Sequence, residues 1–241
     1  MPAATSTILT MADDLTPQHA GGRSALLLQV WLSPSFPVGA FAYSHGLERA
    51  AEAGLVRDRA SLAQWIGDLL AHGSIRNDLI ILAAAWRAAS SGNQGELQDI
   101  AELAAALHPS AERQMESLNQ GRAFLDAVDA AWPAPQVRRL TPNLAYPVAV
   151  ATTAAGHGIA LGPLLEAYAT AFTGNLTSAA IRLSVVGQTG AQRILADLLP
   201  AIIAAARIAE DSMLDDLGSA TWVADLCSME HETQFTRLFR S

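Results

Sequence analysis

The stretch S-P-S-F-P-V-G-A-F-A-Y-S-H-G-L-E, residues Ser33–Glu48, breaks an otherwise alanine- and leucine-rich sequence with prolines, glycines and aromatic residues. Pro34 and Pro37 cannot lie in the interior of a helix, but proline is well tolerated in a first helical turn. The sequence therefore predicts a turn over the two prolines, followed by a helix over about Val38–Ala53 that ends at Gly54.

Helical spacing would place Phe41, His45, Glu48 and Glu52 on one face of this helix, with Tyr43 nearly opposite. Small residues on both sides would allow neighbouring helices to approach closely, which predicts a central position for the helix. Two interpretations of the histidine and the glutamate remain open. They are either core residues that find partners inside the protein, or a general base and the group that orients it.

The composition favours packed helices over sheets. Of the 241 residues, 51% are hydrophobic and only 6% are aromatic, and alanine is a good helix former that is depleted in strands. No alternating strand pattern of useful length occurs. We predict an all-α fold, a single compact domain of about eight to ten helices with no sheet.

The chain divides into three predicted parts: a disordered tail over residues 1–23, a helical domain over 24–209, and an acidic segment with a C-terminal partner-binding tail over 210–241. The first residues carry no basic region typical of a signal peptide, and the apolar runs are too short or too interrupted to span a bilayer. The single cysteine suits a reducing compartment. These features predict a cytoplasmic protein that does not bind a membrane.

All 15 basic residues are arginines, and this excludes several enzyme classes. A Walker A phosphate loop, Schiff-base chemistry and the Ser-x-x-Lys nucleophile each need a lysine. Seven of the 23 acidic residues lie within Glu210–Glu232, where no basic residue occurs, and the rest of the chain is nearly neutral. No cluster of positive charge predicts nucleic-acid binding.

Few residues form a pattern typical of a catalytic or metal site. Cys227 and His231 lie four residues apart and could share a metal on a helix, or they are an incidental pair. No Gly-x-Ser-x-Gly elbow supports a hydrolase, although His45 with Glu48 leaves a small helical hydrolase as an alternative. The C-terminal run places Phe235 and Leu238 among arginines, which is typical of a protein–protein contact or of a terminal helix packed on its own body.

Four blocks together make the chain similar to the urease accessory protein UreF family, over about Leu27 to Ser241. They are the Ser33–Glu48 stretch, the start of the Tyr146–His157 helix, F-T-G-N-L-T-S-A-A-I-R-L-S-V-V-G-Q-T-G-A-Q-R, and S-M-E-H-E-T-Q-F-T-R-L-F-R-S. The resemblance implies an all-α homodimer without catalytic activity. The partner-binding residues that it implies are Tyr43, His45, Glu48, Arg182, Gln188, Glu232, Phe235, Arg237 and Arg240.

The resemblance also implies the partners. Such proteins bind the scaffold UreD (also called UreH) and the GTPase UreG, and the complex engages apo-urease and couples GTP hydrolysis to nickel delivery. Nickel and GTP are then handled by the partners, so no cofactor and no metal site are expected here. The family's tail usually has tyrosine where this chain has Phe235. A generic helical interaction module unconnected with urease remains the third alternative.

Overall fold

The computed structural model describes residues 17–133 and 144–241, and within these residues it contains ten α-helices and two short 3₁₀ turns but no strand. The all-α prediction is confirmed. One hydrophobic core extends from Leu27 to Phe239. The helices are α1 Pro17–Trp31, α2 Leu47–Glu52, α3 Arg59–His72, α4 Ser74–Ser91, α5 Gln94–Ala106, α6 Ala111–Ala131, α7 Tyr146–Gly156, α8 Leu161–Arg182, α9 Gln188–Asp211 and α10 Trp222–His231.

Helix α7 is the central helix of the fold. Every residue from Pro147 to Ala154 is buried, so this helix has no polar face. It packs between α4 and α6. The contact with α6 is close because Gly121 carries no side chain: a Cβ at this position would lie only 1.9 Å from the carbonyl oxygen of Leu144.

Helices α8 and α9 form a second layer, in which α9 covers α3, α4 and α8. Helix α9 is amphipathic, and its buried residues recur about every four positions as Ile194, Leu198 and Ile202. On its outer side Arg59 of α3 forms an ion pair with Asp197 at 2.9 Å. Among the described residues, no helix combines the length and the apolar character needed to cross a lipid bilayer.

The predicted continuous helix over Val38–Ala53 is wrong. The structure has a 3₁₀ turn at Ala40–Ala42, an irregular stretch, and then the short helix α2. Gly39, His45 and Gly46 have φ angles of 73°, 56° and 75°, in the left-handed region that a right-handed helix cannot contain. As a result the four residues predicted to share a face are separated: Phe41 is exposed, whereas His45 and Glu48 are buried.

The predicted boundary of the N-terminal tail also differs from the structure. Helix α1 begins at Pro17, so residues 17–23 of the predicted disordered tail are helical; residues 1–16 lie outside the described residues. Helix α3 begins at Arg59, with Asp58 as its N-cap. The Asp58 side chain accepts from the Ser61 amide at 2.9 Å, and the Ser61 hydroxyl lies 3.1 Å from the Asp58 amide, which is a capping box.

The acidic segment begins inside α9 and then lies against α4. Arg87 donates to the carbonyl oxygens of Glu210 and Ser212, at 3.0 and 2.7 Å, and Arg76 donates to that of Asp216 at 2.7 Å. Two arginines of α4 therefore hold the acidic segment through its backbone carbonyl groups.

Candidate partner-binding site

The C-terminal segment, residues 232–241, lies on the irregular stretch that precedes α2. The Arg240 amide donates to the carbonyl oxygen of Ala42 at 2.8 Å. The carbonyl oxygen of Ser241 accepts from the amide and the hydroxyl of Ser44, at 2.7 and 2.5 Å. Of the two alternatives for this tail, the structure therefore shows it packed on its own body. It does so as irregular chain, because α10 ends at His231.

The carboxylate of Glu48 anchors this segment from the first turn of α2. Its two oxygens accept from the amides of Leu238 and Phe239, at 2.7 and 2.9 Å. These backbone donors explain how a glutamate that is 7% exposed is satisfied inside the protein. A carboxylate that accepts several N–H groups also forms strong, charge-assisted hydrogen bonds.

A chain of polar side chains continues from Glu48 through His231 at the end of α10. The Nε2 atom of His231 lies 3.1 Å from Glu48 Oε2, and its Nδ1 atom lies 2.6 Å from Glu112 Oε2. The second oxygen of Glu112 accepts from Arg237 at 2.6 Å. Helices α2, α6 and α10 are thereby connected to the C-terminal segment by side chains alone.

A second chain runs through Glu116, one turn further along α6. Its carboxylate faces His45 Nε2 at 3.2 Å, Gln120 at 2.9 Å and the Ser241 hydroxyl at 2.7 Å, and it forms a buried ion pair with Arg113. Burial, and then the nearby Arg113 guanidinium, lower the pKa of His45 well below its ordinary value. His45 is therefore neutral at pH 7 and donates its Nε2–H to Glu116.

Glu232 and Arg182 complete the arrangement at its two ends. Glu232 accepts from the amides of Ala111 and Glu112, at 2.7 and 3.3 Å, and so caps the start of α6. The Arg182 guanidinium lies over the Phe239 ring, 4.1 Å from its centre, which is a cation–π contact.

The structure brings together most of the nine predicted site residues and separates two. Five of them contact the C-terminal segment or belong to it and bind the body: Glu48, Arg182, Glu232, Arg237 and Arg240. His45 contacts Glu116, which also accepts from the Ser241 hydroxyl. Tyr43 is buried beside Arg240 in the wall of a groove. Phe235 is fully exposed, and Gln188 is exposed at the start of α9, where no described hydrogen bond joins it to the others.

The groove has a volume of about 490 Å³ and lies between the chain before α2 and helix α6. Pro37, Phe41 and Tyr43 form one side, and Asn119 of α6 forms the other, with Arg240 at the margin. The exposed ring of Phe41 gives this groove an apolar rim.

Glu112 and Glu116, which hold much of the arrangement, were absent from the prediction. The available signal was their spacing, since Glu112, Glu116 and Gln120 follow one another at four-residue intervals and share one face of α6. Two of these side chains are buried, and a repeated buried polar position on a helix indicates partners inside the protein.

The hydrolase alternative finds no support in this geometry. His45 faces Glu116 rather than Glu48, and the Glu48 carboxylate is occupied by two backbone amides and His231. The proposed pair of general base and orienting group therefore does not form among the described residues.

The Cys227–His231 pair is buried rather than placed at the surface. Both ring nitrogens of His231 face carboxylates, and burial raises the pKa of the Cys227 thiol. In the part of the chain that the structure describes, no group of three His, Cys, Asp or Glu side chains is arranged to hold a metal ion.

Comparisons with known proteins identify the family. The family model for UreF matches residues 56–199. The chain is 54% identical to the urease accessory protein UreF of Xanthobacter autotrophicus over 222 residues, which cover 90% of this chain and 91% of that protein. It is 50% identical to the urease accessory protein UreF of Azorhizobium caulinodans over 237 residues, covering 97% of this chain and all of that protein.

This chain belongs to the UreF family. The resemblance inferred from the four sequence blocks is confirmed. The match to the Azorhizobium protein extends over almost the whole chain, so this UreF-family chain shares more than the helical body that the family model covers.

The UreF-family chain also exposes apolar side chains near its C-terminus. Helix α10 presents Trp222, Val223, Leu226 and Met229 to solvent, and the spacing places them on one side of the helix. We call these four residues the α10 face. Beyond it, Phe235 has 103% relative exposure and Leu238 is 59% exposed, so neither contributes to the protein's own core.

Proposed function

We propose that this protein is a non-catalytic adaptor in the maturation of urease. In this proposal it forms a homodimer in the cytoplasm and joins the UreD (UreH) scaffold and the GTPase UreG. The complex inserts nickel into apo-urease in a reaction that depends on GTP hydrolysis, and this protein gates or regulates the GTPase. The observation that carries the proposal is a sequence identity of 50–54%, over 90–97% of this chain, to proteins named urease accessory protein UreF.

The exposed apolar residues support a role in binding other proteins. A monomeric soluble protein seldom exposes a group of large apolar side chains on one helix unless a partner covers them. Trp222 and Phe235 are aromatic, and aromatic residues are enriched at the energetic centres of interfaces. We assign the α10 face, together with Phe235 and Leu238, to the UreD scaffold.

The charge around the α10 face suggests the character of the partner surface. Asp225 and Glu230 lie on the same helix, and Asp215 and Asp216 precede it. An apolar surface bordered by carboxylates is complemented by apolar side chains bordered by lysine and arginine. The UreD surface that binds here is expected to have that composition.

The groove beside Tyr43 and Arg240 supports a second contact. It combines a partly exposed aromatic rim with a cation, and it is built in part by the docked C-terminal segment. A partner that covers Phe235 and Leu238 and a partner in the groove would therefore both contact the C-terminal segment. We assign the groove to ordering the homodimer for UreG.

The chemistry of the chain supports leaving catalysis to the partners. The absence of lysine from the sequence removes the Walker A loop, so nucleotide hydrolysis is assigned to UreG. We likewise assign nickel to other components of the complex and predict no cofactor for this protein.

Co-expression with UreD and UreG, followed by size-exclusion chromatography with and without GTP and nickel, tests the proposal. The adaptor is expected to elute with both partners and to hydrolyse no GTP alone. Phe235→Ala is the most specific variant, because the Phe235 side chain is fully exposed and its removal should not disturb contacts within the protein. This substitution should weaken UreD binding at least about tenfold. The control is Ile208→Ala, an exposed apolar residue on α9.

Two results would overturn the proposal. Failure of the wild-type protein to associate with UreD or UreG would exclude the adaptor role. Equal UreD affinity of Phe235→Ala and Ile208→Ala would instead refute the assigned surface and leave the adaptor role standing.

A further inference from the structure

A second cavity, with a volume of about 270 Å³, lies between α4, the start of α6 and the first turn of α10. Titratable side chains from each of these elements line it, namely Asp78 of α4, Arg113 of α6 and Asp225 of α10. His108, in the chain that leads into α6, completes this group. We call this cavity the Asp78 pocket. It is separate from the groove beside Tyr43, with which it shares no lining residue.

Asp78 is a buried carboxylate that is only half satisfied. The residue is 9% exposed, and its Oδ2 atom accepts from the Tyr168 hydroxyl at 3.0 Å, whereas no described hydrogen bond reaches its Oδ1 atom. Burial raises the pKa of Asp78 to about 6, although the Arg113 charge and the Tyr168 hydrogen bond act in the opposite direction. The carboxyl group is therefore mostly ionised at pH 7. A buried carboxylate of this kind is costly unless a cation compensates it.

The two basic side chains that line the pocket do not supply that cation. Arg113 forms a buried ion pair with Glu116, so its charge is already compensated. Burial, and then the Arg113 charge, lower the pKa of His108 to about 4. The imidazole is therefore neutral at pH 7, and its buried Nε2 atom has no described hydrogen-bond partner.

Asp225 adds a second carboxylate from the first turn of α10. One of its oxygens accepts from the Ser219 hydroxyl at 3.0 Å, and no described hydrogen bond reaches the other. Because the charges of Arg113 and Glu116 cancel, Asp78 and Asp225 leave the pocket with an excess of negative charge. The pocket thus combines uncompensated charge with carboxylate oxygens that lack donors, and a ligand with N–H donors and a positive charge would satisfy both.

We propose that the Asp78 pocket binds the guanidinium group of an arginine from the partner that covers the α10 face. Asp225 follows Trp222 by three positions, and residues three apart on a helix are neighbours on its surface. The lining of the pocket therefore reaches the edge of the α10 face, and a protein bound on this face lies within reach of the pocket. This inference rests on the proposed function, in which that partner is UreD.

The chemistry of the pocket favours an organic cation over a metal ion. Within the described ranges, no group of three His, Cys, Asp or Glu side chains is arranged to hold a metal. A guanidinium carries five N–H donors in one plane, so it can donate to carboxylates of different helices at once. An ammonium group has three donors and is more strongly hydrated, so its transfer into a buried pocket is less favourable.

Binding of the cation can be measured on the isolated protein with methylguanidinium chloride as the probe. In ¹H–¹⁵N NMR spectra at constant ionic strength, the amide signals of Gly218 and Ser219 should shift and saturate. A dissociation constant on the order of millimolar is expected for so small a ligand. Methylammonium chloride should bind more weakly. Asp78→Asn, which keeps an acceptor for Tyr168, should weaken methylguanidinium binding at least about tenfold because it removes a charge-assisted hydrogen bond.

Asp215→Asn is the matched control for the loss of charge. Asp215 is an exposed residue of the same acidic segment that does not line the pocket. The affinity of both variants for purified UreD then tests the source of the guanidinium. Asp78→Asn should weaken UreD binding about tenfold, and Asp215→Asn should weaken it less. Circular dichroism verifies that both variants keep the helical fold.

The possible results separate the pocket from the proposed function. The cation site is refuted by a lack of saturable shifts at the pocket, by equal probe binding of wild type and Asp78→Asn, or by tighter binding of methylammonium. Wild-type UreD affinity of Asp78→Asn would show that a partner arginine is not the occupant. Failure of the wild-type protein to bind UreD would overturn the proposed function and this occupant together, while the methylguanidinium titration would still decide whether the pocket binds a guanidinium.

Discussion

Replacing Gly46 with alanine should push α10 away from the start of α2, because the backbone of α10 packs directly against this glycine. A Cβ at position 46 would lie 2.8 Å from the amide nitrogen of Ser228 and 3.2 Å from the carbonyl carbon of Cys227. Both are backbone atoms, so no side-chain rotation can relieve the overlap. The same residue has a φ angle of 75°, which alanine adopts with strain.

Gly54 isolates the contribution of this close approach. It has a φ angle of 71°, but a Cβ there would meet no atom within 4 Å. Both substitutions carry the left-handed strain of about 1–2 kcal/mol. Only Gly46→Ala adds overlap, and forcing extra atoms into a packed site costs about 1–3 kcal/mol more. The free energy of unfolding should therefore fall by roughly 2–5 kcal/mol for Gly46→Ala.

Urea denaturation followed by circular dichroism measures both variants, and an unchanged m value shows that their midpoints can be compared. A 4-fluorophenylalanine at position 239, observed by ¹⁹F NMR, reports locally whether the C-terminal segment lies on the body. Displacement of α10 should change its signal, because His231 of α10 contacts the two carboxylates that hold this segment. Equal destabilisation of Gly46→Ala and Gly54→Ala would refute the reasoning, because the close approach would then contribute nothing.

Three further substitutions test separate contacts. Glu48→Gln keeps the shape of the side chain but removes the charge that holds two amides. A smaller fraction of the C-terminal segment should then lie on the body at pH 7, as reported by the ¹⁹F label at position 239, while the helical circular dichroism signal persists. An unchanged ¹⁹F spectrum would contradict this. Arg182→Ala should weaken the docking of the C-terminal segment by about 0.5–2 kcal/mol in the same ¹⁹F assay, and no change would show that the cation–π contact contributes nothing. Burial raises the pKa of Asp78 from its ordinary 3.8 to about 6, so the folded protein holds more protons than the unfolded chain between these values and loses stability as the pH rises through them. Asp78→Asn keeps an acceptor for the Tyr168 hydroxyl and should gain roughly 2–3 kcal/mol relative to wild type between pH 4 and 7 in urea titrations; a pH-independent difference would refute this.

The helices that sequence predicted well carry their own start and stop signals. Pro147 lies in the first turn of α7, Gly156 is its last residue, and Gly187 precedes α9. The helix predicted over Val38–Ala53 failed although its side-chain spacing suited a helix. The prediction treats the small residues of this stretch as sites of close packing, whereas Gly39 and Gly46 supply left-handed backbone angles that end regular structure.

The candidate site was likewise predicted only in part. The resemblance supplied Glu48, Glu232 and Arg237, but their roles depend on contacts between residues more than a hundred positions apart. The pattern of α6 alone cannot show that Glu112 meets His231, because such a contact exists only after the helices are packed. Phe235 is exposed, and its contact with a partner stays a prediction.

The burial of α7 on all sides bears on the order in which the chain can fold during synthesis. Helices α4 and α6, between which α7 packs, both precede it in the sequence. When α7 leaves the ribosome, the surfaces that cover it already exist, so this apolar helix need not wait exposed to solvent. The opposite holds for α3 and α4, whose second faces stay uncovered until α9 has been made. Helix α7 can therefore pack against α4 and α6 as soon as it is made, whereas α3 and α4 are covered by α9 only late in synthesis.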